Sequence, residues 1–348
     1  MSKIQPGLFR VLLTRDFDQM SAVAASVALR DLCAKTAAGN RFVLGLATGA
    51  SPTGLYKFLA KAANAGAFDP ALVRTFNLDE YVGLPGANPQ LRALHPESYT
   101  WFMIQELFSL MRRKFASSDV PFGTLIDQSA LDAALAASPA DFVFQGADKG
   151  KAVVIRPDAA NPVLRSIRRD ILDAYAARIA DAGGIDLHVI GVGGRGHVAF
   201  HESGIPFEGN GMLLVKLDQN TIDNAVTDGH FATAADSPRY AISMGAELVY
   251  QARHVLLLAS GARKSEPVAA SLADDPSPAV PISYAQLAAA NGHRITYVLD
   301  RAAAAALLER RAEVEARGIE IVDATTDPSP VRVSDLAFTR DPSSGLLG

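Results

Sequence analysis

Apolar residues recur along this chain in two rhythms. Short β-branched or leucine-rich runs, bounded by turn residues, alternate with longer stretches whose apolar positions fall three or four apart. The runs at residues 41–47, 73–78, 186–192, 254–259 and 295–299 read as strands covered on both faces, because they are apolar almost throughout. Residues 10–13, 152–155 and 319–322 show the same pattern more faintly. Helical spacing predicts helices over 18–35, 53–65, 97–111, 162–181, 262–273 and 302–317. In the first of these, Met20, Val23, Ala24, Val27, Ala28 and Leu32 line one face. The alternation predicts an α/β fold with a mostly parallel sheet and helices on both sides. Residues 85–94, rich in Pro, Gly and Asn, and the mixed stretch 116–151 read as insertions at the periphery. No internal repeat and no second boundary is visible. One α/β domain is therefore expected over 1–322, followed by a tail at 323–348 that is docked on the body, docked on a partner subunit, or disordered.

Composition narrows the class. Of 348 residues, 49% are apolar and 20% charged, which excludes a disordered body. Lys and Arg number 33 against 37 Asp and Glu, a net charge of −4, which argues against a nucleic-acid binder but leaves room for a local basic pocket. The lone cysteine, Cys33, cannot form an internal disulfide and fits a reducing compartment. No apolar run reaches the roughly 18–20 residues of a membrane span, and the first residues lack the apolar core of a signal peptide. A soluble cytoplasmic protein is expected.

Four segments carry candidate chemistry. In FVLGLATGASPTGLYKFLA a strand runs into a turn holding Thr48, Gly49, Ala50 and Ser51, then into a helix with Pro52 in its first turn. Orphan N–H groups and the helix dipole favour an anion there, although the spacing is neither G-x-x-x-x-G-K-[ST] nor G-x-G-x-x-G; the plain alternative is Ser51 as a helix cap. In RTFNLDEYVGL a strand ends in Asp79 and Glu80. Strand alternation sends adjacent side chains apart, so at most one of the two faces a cleft as a general base. IDLHVIGVGGRGHVAFHESG empties a strand into Gly191, Gly193, Gly194 and Gly196, followed by His197 and Glu202, a candidate acid/base pair. With His201 added the set still lacks zinc spacing, so no metal is expected. In HVLLLASGARKSEPV, Arg263 and Lys264 open a helix where the dipole opposes them, which an anionic ligand would relieve.

Taken together, LATGASPTGLYK, FNLDEYVGL, HPESY, GVGGRGHVAFHES, AISMG and VLLLASGARK stand in the order seen in the glucosamine-6-phosphate deaminase (isomerase) family, and the chain resembles that family from about residue 41 to 300. The resemblance implies a Rossmann-like α/β/α fold shared with 6-phosphogluconolactonase and ribose-5-phosphate isomerase. It also implies cofactor-free conversion of an amino-sugar phosphate to fructose 6-phosphate and ammonia, with the galactosamine analogue as a variant, and often an oligomer. By the same resemblance Asp79 is the base between C1 and C2, His197 opens the sugar ring and Glu202 supports it. Thr48, Gly49, Ala50, Ser51 and Lys264 form the phosphate cradle, and Gly191 and Gly193 let backbone approach the sugar. Two positions depart from the pattern. Arg195 replaces an Asp of the ring-opening group, and Thr227 falls where a phosphate-binding Arg is expected. Arg195 or Arg239 then supplies the missing positive charge, or Arg195 points to solvent. His201 and Ser203 replace the usual Asn and Pro beside the Glu. A 6-phosphogluconolactonase-like hydrolase and a non-catalytic sugar-phosphate binder are the alternative readings.

Overall fold

The computed structural model describes residues 4–147, 150–328 and 331–338. Thirteen strands form there: β1 Phe9–Thr14, β2 Phe42–Leu46, β3 Val73–Asn77, β4 Asp79–Val82, β5 Ser117–Asp119, β6 Phe142–Gln145, β7 Lys151–Ile155, β8 Leu187–Ile190, β9 Met212–Lys216, β10 Tyr240–Met244, β11 His254–Ala259, β12 Arg294–Asp300 and β13 Glu320–Asp323. Eight of them make one sheet in the order β13-β1-β12-β11-β8-β2-β3-β5, parallel throughout. The predicted parallel sheet and its flanking helices are therefore present. Strand order reverses between β2 and β8, since the chain steps from β2 to β3 on one side and from β8 to β11 on the other. A crevice opens outside the carboxyl ends of strands at such a switch point.

Each face of the parallel sheet carries its own core. Val43, Phe76, Ile190, Val255 and Leu257 pack with Tyr175, Leu272 and Ala285 of the helices on one side. Leu44, Leu46, Leu187, Val189 and Leu258 pack with Met20, Leu32, Leu55 and Leu59 on the other. These strands are buried on both sides, which is why they read as unbroken apolar runs.

A second sheet went unread. The strands β4-β10-β9-β7-β6 form an antiparallel sheet, and residues 152–155, expected among the parallel strands, belong to it. Leu78 joins the two sheets. Its N–H donates to Leu46 O at 3.0 Å, at the end of the parallel pair β2–β3, and its carbonyl accepts the Met244 N–H of β10 at 2.8 Å. The mixed stretch 116–151 supplies β5 and β6, the edge strands of the two sheets. The segment 162–181 is helical as expected, but it is three pieces with a π-helical middle, Ile167–Asp173. The predicted helix 302–317 breaks into Ala305–Glu309 and Arg311–Ala316.

The tail docks on the body as far as it is described. The Val333 N–H donates to Asp18 Oδ1 at 2.9 Å, and Phe338 lies under the Lys61 ammonium at 4.5 Å. Residues 339–348 lie outside the described residues.

Gly45 shows how closely the sheet is covered. A Cβ placed there would stand 2.0 Å from Cδ2 of His188 on the neighbouring strand. The imidazole is fully buried, and burial pushes its pKa down to about 4. Gly45→Ala must displace a ring that has nowhere to go, at a cost of about 1–3 kcal/mol. A lower urea midpoint with an unchanged m-value is the expected result; wild-type stability would show that the ring can move aside.

Candidate active site

The order β11-β8-β2-β3 sets four carboxyl-terminal loops side by side. They are the turn after β11 with Lys264, the glycine-rich loop after β8 with His197, the turn after β2 with Thr48–Ser51, and Asp79 just past β3. Two of the four sequence segments thus meet at the switch point, and the other two lie one strand away on either side.

The turn after β2 leaves the helix start behind it without a side-chain cap. Helix Thr53–Asn64 starts with no side-chain cap, so Ser51 is not the cap that the plain reading made it. The N–H groups of the first turn are left for an anion or water. Tyr56 straps the turn from beneath: its hydroxyl accepts the Ala47 N–H at 2.9 Å and donates to Ala47 O. Gly49 takes φ +93°, and a Cβ there would meet nothing within 4 Å, so this backbone faces open space.

The two adjacent carboxylates have opposite fates, as alternation required. Glu80 accepts the N–H groups of Tyr81, Tyr99 and Thr100 and the hydroxyls of Ser98 and Thr100, all at 2.8–3.0 Å. It is the buried anion at the N-terminus of helix Tyr99–Glu106, a structural role. Asp79 is 5% exposed, and its Oδ1 has no hydrogen-bond partner among the described residues. Burial first, and then the Glu80 charge, hold its carboxyl well above the usual carboxylate range. The Asn77 carboxamide two positions earlier is likewise buried with both polar atoms unmatched.

Asp79 lies among phenols. Tyr56, Tyr81, Tyr99 and Tyr175 all feel its charge, although burial is the larger cause of their raised pKa values. Tyr99 packs against Tyr81 with ring centroids 5.0 Å apart. Its ring stacks on Phe200 at 5.8 Å, and Tyr81 packs against Phe200 at 5.2 Å. A further link runs through Ser243, which stands opposite Asp79 in the β4–β10 register and whose Oγ accepts the Phe200 N–H at 3.0 Å. The Asp79 strand and the histidine loop are therefore fixed to each other.

Within that loop the glycines have separate tasks. A Cβ on Gly193 would fall 1.7 Å from His197 Nε2, so only glycine lets the imidazole lie where it does. Gly191 has open space where a side chain would stand. Ala199, with φ +51°, is the one non-glycine in the left-handed region among the described residues, which marks strain in this turn. The neighbouring segment holds the loop down: Ile282 N–H to Gly196 O at 2.9 Å, Gly204 N–H to Pro278 O at 2.7 Å and Ser203 Oγ to Ala279 O at 2.6 Å.

His197 Nδ1 stands 3.3 Å from Glu202 Oε2. Glu202 is 2% exposed, and its other oxygen accepts the Thr221 hydroxyl at 2.7 Å and the Asp218 N–H at 3.3 Å. His201 is a different kind of histidine. Its Nδ1 accepts the Ala246 N–H and its Nε2 meets Ile205 O, both at 3.0 Å, which is the neutral ring fully used. Burial lowers its pKa to about 4. Among the described residues no group of His, Cys, Asp and Glu could hold a metal ion.

Of the candidate cations, the Lys264 side chain has no ion-pair or hydrogen-bond partner among the described residues, and burial, then Arg263, lower its pKa. Arg263 pairs with Asp228 at the surface. Ser260 and Gly261 are anchored on Asp300, which fixes where Lys264 starts its helix. The Arg195 guanidinium pairs with Asp218 through Nη1, with 37% of its side chain exposed. Arg239 pairs with Asp132 at the surface. Thr227 hydrogen-bonds within its own helix, to Asp223 O at 2.9 Å. Sequence reasoning missed Tyr99, Ser243, Thr221 and Asp218. The first lay in the quoted HPESY motif and the second in AISMG; the last two had no signal beyond an Asp and a Thr at the start of an unrecognised helix.

Comparison with known proteins points the same way as the motifs. A family model described as Glucosamine-6-phosphate isomerases/6-phosphogluconolactonase matches residues 150–295. The glucosamine-6-phosphate deaminase of Lysinibacillus sphaericus is 34% identical over 252 residues, 72% of this chain and 84% of that protein. That of Rhodopirellula baltica is 32% identical over 306 residues, 88% of this chain and 98% of its own. Among solved structures, a monomeric glucosamine-6-phosphate deaminase matches with a TM-score of 0.61 at 24% identity, over 85% of this chain and 99% of that one. The 6-phosphogluconolactonase from Trypanosoma brucei matches with a TM-score of 0.56 at 15% identity, over 87% and 99%. At those identities the two structures speak for the fold. No helix among the described residues is long and apolar enough to cross a membrane.

The raised Asp79 pKa fixes the sign of a stability effect. The folded chain holds the Asp79 proton more tightly than the unfolded chain, whose ordinary value is 3.8. Stability is therefore lost as pH rises from that value through the folded pKa. Asp79→Asn removes the loss. Its Tm should exceed that of wild type by about 2 °C or more at pH 8, with the gap closing toward pH 4. A gap that does not change with pH would mean that Asp79 is not held protonated by burial.

Proposed function

The chain belongs to the glucosamine-6-phosphate isomerase/6-phosphogluconolactonase family, and on that premise we propose that it deaminates and isomerises a hexosamine 6-phosphate without a cofactor. Glucosamine 6-phosphate is the first candidate and its galactosamine analogue the second. The observation that carries the reading is Asp79: a buried carboxylate with an unmatched oxygen, fixed through Ser243 to the loop that bears the His197–Glu202 couple. A carboxyl kept out of water is a stronger base when ionised, as proton abstraction from carbon requires.

The chemistry then runs in balanced steps. The phosphate is gripped by the uncapped first turn after Thr48–Ser51 and by the unpaired Lys264, far from the reacting carbons. His197, steadied by Glu202, takes the proton of the C1 hydroxyl and returns one to the ring oxygen, which opens the ring to the aldehyde. Asp79 removes the C2 proton and delivers it to C1, while the aldehyde oxygen takes a proton released by the 2-ammonium group and becomes the C1 hydroxyl. The product is an iminium at C2; water adds there, and ammonia leaves with the ketose phosphate. Holding the chain in line between grip and base supplies the orientation that such a transfer needs. A lactonase needs no base over a C–H bond, so an unmatched buried carboxylate favours the deaminase over that reading.

Ammonia release from glucosamine 6-phosphate and from galactosamine 6-phosphate, assayed between about pH 6 and 9, where histidine-based acid/base work appears, tests the proposal. Turnover of one sugar is expected, with Asp79→Asn lowering kcat by about 10²–10⁴-fold, the worth of a general base. Silence toward both sugars, or an Asp79→Asn enzyme of wild-type rate, would overturn it.

A further inference from the structure

Arg195 stands two residues before His197, yet its charge is turned away toward another element. Its Nη1 donates to Oδ2 of Asp218, a carboxylate only 6% exposed. The second oxygen of Asp218, Oδ1, accepts the Asn220 N–H at 3.1 Å and caps helix Gln219–Thr227. The backbone N–H of Asp218 donates to Glu202 Oε1, and Thr221, one turn in, adds its hydroxyl to that same oxygen. Glu202 then presents Oε2 to His197 Nδ1. The contacts form a closed circuit from Arg195 to Asp218, to Glu202, to His197 and back along the loop.

Every donor that orients Glu202 on its Oε1 side comes from the first turn of this one helix. The helix turn and the histidine loop meet through the contacts of Glu202, through the Arg195–Asp218 pair and through the apolar cluster that holds Phe200, Ile205 and Ile222. The Arg195–Asp218 pair is the one ion pair across this junction among the described residues.

Resting on the reading of the site given above, we propose that Asp218 and Arg195 are positioning residues for the His197–Glu202 couple, joined as one ion pair, and that Arg195 does not grip the substrate phosphate. Asp218 has one carboxylate oxygen on the helix cap and one on Arg195, and its amide on Glu202. Replacing it by Asn keeps the cap and the amide and removes only the charge that Arg195 needs. Loss of the pair loosens the couple, and a misplacement of about 1 Å at a reacting group costs on the order of 10²-fold in rate.

Steady-state kinetics on Arg195→Ala, Arg195→Lys, Asp218→Asn and the double variant Arg195→Ala/Asp218→Asn, with glucosamine 6-phosphate, separate the possibilities. Each of Arg195→Ala and Asp218→Asn should lower kcat by about 10- to 100-fold with KM within about twofold. The double variant should be no worse than the poorer single one, because both delete the same interaction. Arg195→Lys, which keeps the charge, should recover most of kcat. A KM raised about tenfold with kcat intact in Arg195→Ala would make Arg195 a phosphate ligand and overturn the pair, as would fully additive losses or an unchanged kcat. Wild type that releases no ammonia sinks the proposed function instead. The pair is then decided by NMR of ¹⁵N-labelled histidine, with the His197 signal assigned by its loss in His197→Asn. The Nδ1–H resonance held by Glu202 should shift or broaden in Arg195→Ala and Asp218→Asn, and an unmoved resonance refutes the pair.

Discussion

Leu78 serves two sheets with one peptide unit on either side. Its amide completes the parallel sheet at Leu46, and its carbonyl starts the antiparallel one at Met244. The chain therefore cannot leave β3 into a free loop, as most parallel strands do at the carboxyl end. It is handed directly to β4, and the first residue after the exchange is Asp79. A side chain at such a seam is covered by both sheets and by the helix that follows β2. That explains how a carboxyl becomes buried without a partner: the backbone around it is fully hydrogen-bonded, so the side chain has no freedom to retreat to water. The energetic cost of a lone buried acid is carried by two cores and two ladders.

The site sorts like residues into unlike roles by the same means. Asp79 and Glu80 are neighbours, yet one carries an unmatched oxygen and the other accepts from five donors at a helix start. His197 and His201 lie four residues apart. One has a ring nitrogen toward Glu202 and 19% of its side chain exposed; the other spends both nitrogens on backbone and is sealed. Residue type alone does not separate these pairs. What separates them is which buried donors and acceptors are already in place around each.

Much of this was legible before any coordinates. The parallel strands were visible because burial on both faces forces continuous apolarity, as in HVLLLA and FVLGL. The glycine cluster ahead of His197 was visible because close approach demands glycine, and Gly193 under the imidazole is the physical reason. The antiparallel sheet was not visible. Its strands β4, β9 and β10 are short, and one begins with two acids, so their pattern was absorbed into turns and motifs. The fate of Arg195 was equally hidden, because its partner Asp218 lies on a helix that sequence periodicity did not announce. An ion pair between residues far apart in the chain leaves no local signature; only the fold makes them neighbours.

The strict alternation across the seam carries an evolutionary corollary. A one-residue insertion or deletion between Val73 and Asp79 would flip the two acids, aiming the longer side chain into the crevice and stripping the helix start of its anion at once. The stretch is thus locked in length, whereas the Pro- and Gly-rich stretch a few residues later, at 85–94, lies beyond the seam and is free to grow or shrink. Relatives of this chain should differ in size after the seam and never within it.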